Sequence, residues 1–310
     1  MPAIGKLIGV YTVIFWIFLV LAVGANSAKG YCSKRLSGLT DGIADNLVLN
    51  LIRCLGCVII GGAIMLVTGK SFALSVSELL CCAVSGISMT AFQLSWIMSL
   101  KKGAYMMVSA FSSASFALPC VWGFALLGEP VSLVRLAAIA IICVAIYFLC
   151  LYNNKTKTRL SAAAFTFLFA VSVSQGFNQI FQKQFTLAEG SSTVTAYTFY
   201  TFVFASVLTV VLLPFFKSET PHAEICKRLL SKKALLLICM STVGIFAASF
   251  LQASAAKGID ASVMYPVLNG LSVCAGTLMS VFIFGEKPKK ESVIGIILVL
   301  TALLMNTLGK

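Results

Sequence analysis

The sequence predicts an all-α polytopic membrane protein with ten transmembrane helices, arranged as two inverted five-helix repeats. Three observations support this. Apolar residues make up 59% of the chain and charged residues only 11%, uncharged runs of membrane-spanning length recur along it, and one Gly-Glu motif occurs twice, half a chain apart. Soluble domains carry about 25% charged residues. Because this chain has too little polar material to cover a globular surface, we expect lipid to surround it.

Uncharged runs mark the predicted helices, which we number 1 to 10. These runs lie at 7–28, 54–69, 79–100, 103–128, 136–154, 160–182, 190–216, 234–256, 261–285 and 292–309. A helix needs about 20 apolar residues to cross the hydrocarbon core. Nine runs have that length, and 54–69 reaches it when 47–52 is added across Arg53. Runs this long exclude alternating barrel strands. The first run is also longer than the apolar core of a signal peptide, so we expect a retained helix.

Basic residues are distributed unevenly between the loops. The loops after predicted helices 1, 3, 5, 7 and 9 carry sixteen Lys and Arg residues, whereas the opposite side, with both termini, carries six. The positive-inside rule therefore places the odd-numbered loops in the cytoplasm and both termini outside, in a protein that we expect in the plasma membrane. Loop charges of this kind account for the net charge of +13, so we do not expect nucleic acid as a partner.

A tract of the first half recurs in the second. The segment MVSAFSSASFALPCVWGFALLGEP at 107–130 aligns without a gap with MYPVLNGLSVCAGTLMSVFIFGEK at 264–287, which places Gly128 on Gly285. A Lys-Gly pair precedes each tract and an apolar helix follows it. The alignment predicts two repeats, at residues 1–157 and 158–310.

The shared Gly-Glu motif marks the end of one helix and the start of the next. Glycine ends helices, and proline suits a first helical turn. We expect Glu129 and Glu286 to cap the start of the helix that follows each motif, where the helix dipole is positive. Because each repeat crosses the membrane an odd number of times, the second enters from the opposite face. Inverted repeats are typical of secondary transporters, whose substrate site lies between the repeats.

The doubled pattern resembles the EamA branch of the drug/metabolite transporter superfamily, over nearly the whole chain and most clearly at 101–151 and 256–308. The resemblance implies a metabolite carrier that works by alternating access. It also implies a central cavity lined by predicted helices 1, 3, 4, 6, 8 and 9, with helices 5 and 10 outside. The superfamily's smallest members often couple export to protons through a membrane-embedded Glu. None of the ten acidic residues here falls in the middle of a predicted helix. We therefore expect uniport or export without a buried carboxylate proton site.

Polar side chains inside the predicted helices are the candidates for a substrate site, because they are costly in a bilayer. In predicted helix 6, Gln175 and Gln179 share a face, and in helix 9 Tyr265 and Asn269 do so. The predicted substrate-binding residues are Asn26, Gln93, Trp96, Ser112, Gln175, Asn178, Gln179, Gln252, Tyr265 and Asn269. The alternative is that these groups bond to one another and pack the bundle, which small polar residues often do.

An amide- and hydroxyl-lined cavity fits a small neutral or zwitterionic solute such as an amino acid. Besides this substrate and membrane lipid, we expect no cofactor, metal or catalytic residue, in a monomer or homodimer. A lipid-linked-sugar translocase and a non-transporting membrane sensor or subunit are the alternatives. Arg53 is expected to snorkel to the membrane surface, and whether Arg53 and Lys29 contact an anionic substrate stays open.

Overall fold

The structure, a computed structural model, describes residues 2–102, 105–130, 132–150, 162–188, 193–216, 227–285 and 290–308. The predicted segments appear in it as helices, numbered here in the same order. Their bounds are α1 Pro2–Leu36, α2 Ile43–Val67, α3 Val76–Lys102, α5 Leu133–Cys150, α6 Ala162–Leu187, α7 Val194–Leu212, α8 Lys232–Ala256, α9 Ala261–Phe282 and α10 Lys290–Leu308. The fourth, α4, consists of the segments Tyr105–Ser113 and Ala117–Leu126, joined by the 3-10 turn Ala114–Phe116.

Seven of these helices, α1 to α4 and α7 to α9, are long and apolar enough to cross a membrane. The chain is therefore an integral, multi-pass membrane protein. In α5 and α10 the described apolar stretches are shorter, Leu133–Ala145 and Val293–Ala302. The helix α6 is not among the seven, and it carries the amide side chains that the sequence analysis singled out. Ten crossings thus remain a prediction, although the helix positions agree with the predicted segments.

The first helix extends further than predicted. Lys29, Lys34 and Arg35 were assigned to the loop after helix 1, but all three lie within α1. The Lys34 ammonium donates a hydrogen bond to the carbonyl oxygen of Leu100 near the end of α3, at 3.2 Å. Cations near helix C-termini are favourable because the last carbonyls lack helical partners. The uncharged run stops at residue 28, before Lys29, but the helix continues to Leu36.

The interruption of α4 lies where a proline removes a helical hydrogen bond. Pro119 has no N–H for the carbonyl group of Ser115, and Ser115 lies in the 3-10 turn. The helices α4 and α9 are followed by the two glycines of the repeated motif, Gly128 with φ 64° and Gly285 with φ 65°. Both glycines thus have the left-handed conformation that ends helices, as the repeated motif predicted.

Helices of the first five pack chiefly against helices of the second five. The extensive pairings are α1 with α8, α3 with α6 and α7, α2 with α7, α4 with α6 and α9, and α5 with α10. The α4–α9 pairing includes a hydrogen bond from the Ser113 hydroxyl to the Asn269 carbonyl oxygen, at 3.0 Å. The interior between the two sets of helices contains the cavities described below.

The expected position of the Glu129 carboxylate was wrong. We expected it at the start of α5, but its oxygens accept hydrogen bonds from the backbone N–H groups of Ala261 at 2.7 Å and Ser262 at 2.8 Å. These groups begin α9, whose first N–H groups have no helical partners. The carboxylate therefore caps a helix of the other half. The corresponding Glu286 lies outside the described residues.

Candidate binding cavity

Three adjoining cavities lie in the interior, with volumes of about 40, 10 and 10 Å³. Residues of α1, α3, α4, α6, α8 and α9 line them, and α2 contributes Arg53. Lys29 lines all three cavities. A water molecule needs about 10–15 Å³ of such space, so in this conformation the cavities have room for a few waters. A drug-sized ligand needs several hundred Å³.

Eight of the ten predicted site residues line these cavities. They are Asn26, Gln93, Trp96, Ser112, Gln175, Asn178, Gln252 and Asn269. The first cavity contacts hydroxyl groups of α4 and the amide of Asn269. The second is lined by four amide side chains, those of Asn26, Gln175, Asn178 and Gln252, together with Lys29, Ser249 and apolar residues. The structure therefore brings residues from six helices to one place.

The other two predicted residues, Gln179 and Tyr265, line none of these cavities and are fully buried. The Tyr265 hydroxyl donates to the Gln179 carbonyl oxygen at 2.7 Å. The Gln179 side-chain amide donates to Oδ1 of Asn269 at 3.3 Å. These two residues support Asn269 from behind the cavity wall, so their polar groups serve packing.

The face predicted for α6 divides between the cavity and the bundle. Gln175 lines the first and second cavities. Gln182 instead donates from Nε2 to the Ser249 carbonyl oxygen on α8 at 3.2 Å, and the Ser172 hydroxyl donates to the Phe111 carbonyl oxygen. On this face of α6, Gln175 lines the cavity, whereas Ser172 before it and Gln182 after it bond to neighbouring helices.

An aromatic wall borders the first and third cavities. The ring centroid of Trp96 lies 5.6 Å from that of Phe92 and 6.0 Å from that of Tyr105. The Trp96 indole nitrogen and both amide atoms of Gln93 are buried without a hydrogen-bond partner in the structure. Buried polar groups nearly always have partners, so these atoms are available to a molecule that enters the cavity.

Lys29 and Arg53, which were not among the predicted site residues, both line the third cavity. Arg53 does not snorkel. It is 1% exposed, lines the third cavity, and its Nε and Nη2 atoms lack hydrogen-bond partners. Lys29 is partly buried, with its ammonium 5.2 Å from the centroid of the Phe92 ring. The signal was present in the sequence, since an arginine within an otherwise uncharged membrane segment is a functional candidate by default.

The CxxC pair of α2 takes part in helix packing. The Cys54 thiol donates to Oδ1 of Asn50 at 3.8 Å, and the Cys57 thiol donates to the Thr242 carbonyl oxygen at 3.5 Å. No group of three or more His, Cys, Asp or Glu side chains within the described residues could hold a metal ion.

Comparison with known families agrees with this arrangement. Residues 162–308, from α6 to α10, match the EamA-like transporter family. This match covers slightly less than half of the chain and shows that α6 to α10 are similar to that family. The EamA-like segment supplies the cavity residues Gln175, Asn178, Gln252 and Asn269. The similarity of the first half to the same family remains a prediction from the repeated tract.

The fold itself recurs in a solved structure. A protein known by crystal structure is similar over 97% of this chain and 97% of its own, with a TM-score of 0.68 and 13% sequence identity. At this identity the similarity shows the fold alone, and it extends over both halves. No curated protein matches the chain.

Proposed function

We propose that this protein transports a small polar metabolite across the membrane by alternating access. The observation that carries the proposal is the central polar cavity, which residues of α1, α3, α4, α6, α8 and α9 surround. The match of residues 162–308 to the EamA-like transporter family supports transport of some small solute. In transporters built from two repeats, the substrate site lies at the interface between them.

The helix pairings support two inverted repeats, 1–157 and 158–310. Exchanging each helix for the one five places along turns the α1–α8 pair into α6–α3, which is also an extensive pairing. The pairs α2–α7, α4–α9 and α5–α10 map onto themselves. This is the pattern that a pseudo-twofold axis produces, and five crossings in each repeat would put that axis in the membrane plane. Rocking of the repeats about it would expose the cavity to each side in turn.

Two lysines repeat one contact across the halves. Lys34 of α1 donates to a carbonyl oxygen near the end of α3. Lys183 of α6 donates to the carbonyl oxygen of Ala256, at the end of α8, and to that of Ile259, both at 2.8 Å. The helices involved are the ones that the same exchange relates. This contact supports the repeat independently of the Gly-Glu motif.

The cavity walls favour a polar solute without proton coupling through a carboxylate. Among the described residues that line the three cavities, polar groups are amides, hydroxyls, an indole and two cations, without Asp or Glu. This supports uniport or export without a buried carboxylate proton site. We further propose a plasma-membrane location with the odd-numbered loops in the cytoplasm, and a monomer or homodimer.

Counterflow in proteoliposomes tests transport without knowledge of the substrate. The purified protein is reconstituted with a high internal concentration of an unlabelled solute, and uptake of its labelled form is followed. Panels of amino acids, organic acids, nucleosides, sugars and amines are compared with and without a pH gradient. We expect saturable exchange of one class, independent of the gradient. If none of these classes exchanges above protein-free liposomes, the proposal of a solute transporter is wrong.

Lipid-linked-sugar translocation is the second candidate, because two features favour it. Lys29 and Arg53 suit a phosphate head group, and an apolar groove of about 570 Å³ lies between α1 and α8, lined by Ala28, Val243 and neighbouring residues. Transfer of a labelled lipid-linked sugar phosphate between the leaflets of the same liposomes, without exchange of water-soluble solutes, would favour this function over the first.

A further inference from the structure

Two cations at the cavity have no counter-charge among the described residues that line it. Arg53 and Lys29 both border the third cavity, and no carboxylate borders it with them. The described ion pair of Arg228 with Asp41 involves other, exposed groups. A buried guanidinium without a partner is strongly unfavourable in a protein interior. We therefore expect the counter-charge of the Arg53 guanidinium to come from a bound molecule.

Several unpaired hydrogen-bond donors surround the same small space. They are Nε and Nη2 of Arg53, Nε2 of Gln93 and the indole nitrogen of Trp96, all buried without partners in the structure. All three residues border the third cavity. Donors in excess, together with positive charge, match the needs of an anionic group, which only accepts hydrogen bonds.

We propose that the substrate presents a carboxylate or phosphate group to Arg53 and Lys29. This rests on the proposed function, because it names the class of solute that the cavity carries. The planar fork of Arg53 suits two oxygens of such a group. Lys29 supplies a second charge, and the Phe92 ring 5.2 Å away helps to hold its ammonium.

The rest of the substrate is polar and lies along the amides. Lys29 borders all three cavities, so it lies between the Arg53 end and the second cavity, where Asn26, Gln175, Asn178 and Gln252 meet. Amides offer both donors and acceptors. A zwitterionic amino acid and a hydroxylated organic acid both fit this division into an anionic head and a polar body.

The uncompensated positive charge of Arg53 and Lys29 could also link substrate binding to closure of the cavity. An empty cavity with unpaired cations resists the loss of water, whereas a bound anion neutralises charge and lowers the cost of occlusion in a low-dielectric interior. Binding of the substrate would therefore favour the occluded state. Differential affinity of this kind is what a ligand needs to shift a conformational equilibrium.

Thermal unfolding of the purified protein in detergent tests the site independently of transport. The probes are pairs that differ in charge, namely lactate and lactamide, nicotinate and nicotinamide, and glycerol phosphate and glycerol. A ligand that binds the folded state raises Tm. We expect at least one anionic member to raise Tm and its neutral partner not to do so. The pair that responds distinguishes carboxylate from phosphate.

Substitutions of Arg53 and Lys29 test whether the rise in Tm depends on these two cations. We expect Arg53→Gln and Lys29→Gln each to weaken the apparent affinity for the responding anion at least tenfold, while Lys257→Gln, at an exposed position, retains it. Arg53→Lys keeps the charge without the fork, so we expect it to bind phosphate better than Arg53→Gln does. If the Arg53→Gln variant does not fold, the Arg53→Lys variant is measured in its place.

Three outcomes would overturn the inference. They are no anion that stabilises the wild type, equal stabilisation of the wild type and both Gln variants, or stabilisation by chloride alone. Counterflow separates this failure from that of the proposed function. Exchange of neutral solutes only, unaffected by Lys29→Gln, removes the anionic substrate and leaves the transporter. Stabilisation by organic anions without any exchange removes the transporter and leaves the site.

Discussion

The Glu129 carboxylate accepts hydrogen bonds from the backbone N–H groups of Ala261 and Ser262, so the loop after α4 is tied to the first turn of α9. The contact joins residues more than 130 positions apart, from the two halves of the chain. Arg135 of α5 adds to it by donating from Nη1 to the Ser262 hydroxyl oxygen at 3.5 Å. The first copy of the Gly-Glu motif therefore contributes to the interface between the halves.

Removing this cap should destabilise the protein. Loss of a side-chain cap costs about 0.5–2 kcal/mol, and Glu129→Ala also leaves two N–H groups of α9 without their partner. We expect a lower Tm in detergent for Glu129→Ala, with Glu129→Gln in between because it keeps one acceptor oxygen. A Glu129→Ala protein that melts with the wild type would show that the contact does not stabilise the fold.

The two motif glycines should respond alike to substitution. Gly128 and Gly285 have φ values of 64° and 65°, where a side chain costs roughly 1–2 kcal/mol. We expect Gly128→Ala and Gly285→Ala to lower the free energy of unfolding by similar amounts. Gly24→Ala is the control, because that glycine lies within α1 and a Cβ there meets nothing within 4 Å. We expect it to be neutral or stabilising, and a loss at Gly24 as large as at Gly128 would contradict the conformational explanation.

Substitution of an amide that lines the cavity should lower transport without changing Tm, whereas substitution of an amide behind the cavity wall should also lower Tm. Gln175→Ala removes a cavity group, and we expect a three- to tenfold loss of transport with unchanged Tm, the equivalent of one hydrogen bond of about 0.5–1.5 kcal/mol. Asn269→Ala should also lower transport. Gln179→Ala removes buried bonds to Asn269, so we expect it to lower Tm as well. Thr301→Ala, exposed on α10, serves as the control. Full transport by both Gln175→Ala and Asn269→Ala would remove the site assignment.

Much of the fold could be predicted from the sequence, because charged residues mark where a membrane helix ends and glycine with proline marks the turn. The locations of the helices and the left-handed glycines follow from such local rules. The target of Glu129 does not follow from them, since hydropathy indicates which residues lie in the membrane and leaves open which helix lies opposite. Likewise, the spacing of Gln175 and Gln179 defines one face of α6, but neighbouring helices decide which amide reaches the cavity. Arg53 was predicted to snorkel because its distance from the helix end allowed this.

Inverted repeats predict that the loops after the two Gly-Glu motifs are exposed on opposite sides of the membrane. Ser132, after the first motif, and Lys290, after the second, should lie on opposite sides of the membrane. In a background without native cysteines, we expect a membrane-impermeant thiol reagent applied to intact cells to label Ser132→Cys, while Lys290→Cys reacts only after the membrane is opened. Labelling of both positions from the same side would exclude the inverted arrangement.

The most direct measurement of the central claim is two-sided labelling of the cavity. Ser112 lines the first cavity and is partly buried, so Ser112→Cys in the same cysteine-free background reports access to it. The account predicts that membrane-impermeant thiol reagents modify this position from the outside in right-side-out vesicles and from the cytoplasmic side in inside-out vesicles, because both openings are visited in turn. Modification from one side only, under all conditions that support solute exchange, would contradict alternating access through this cavity.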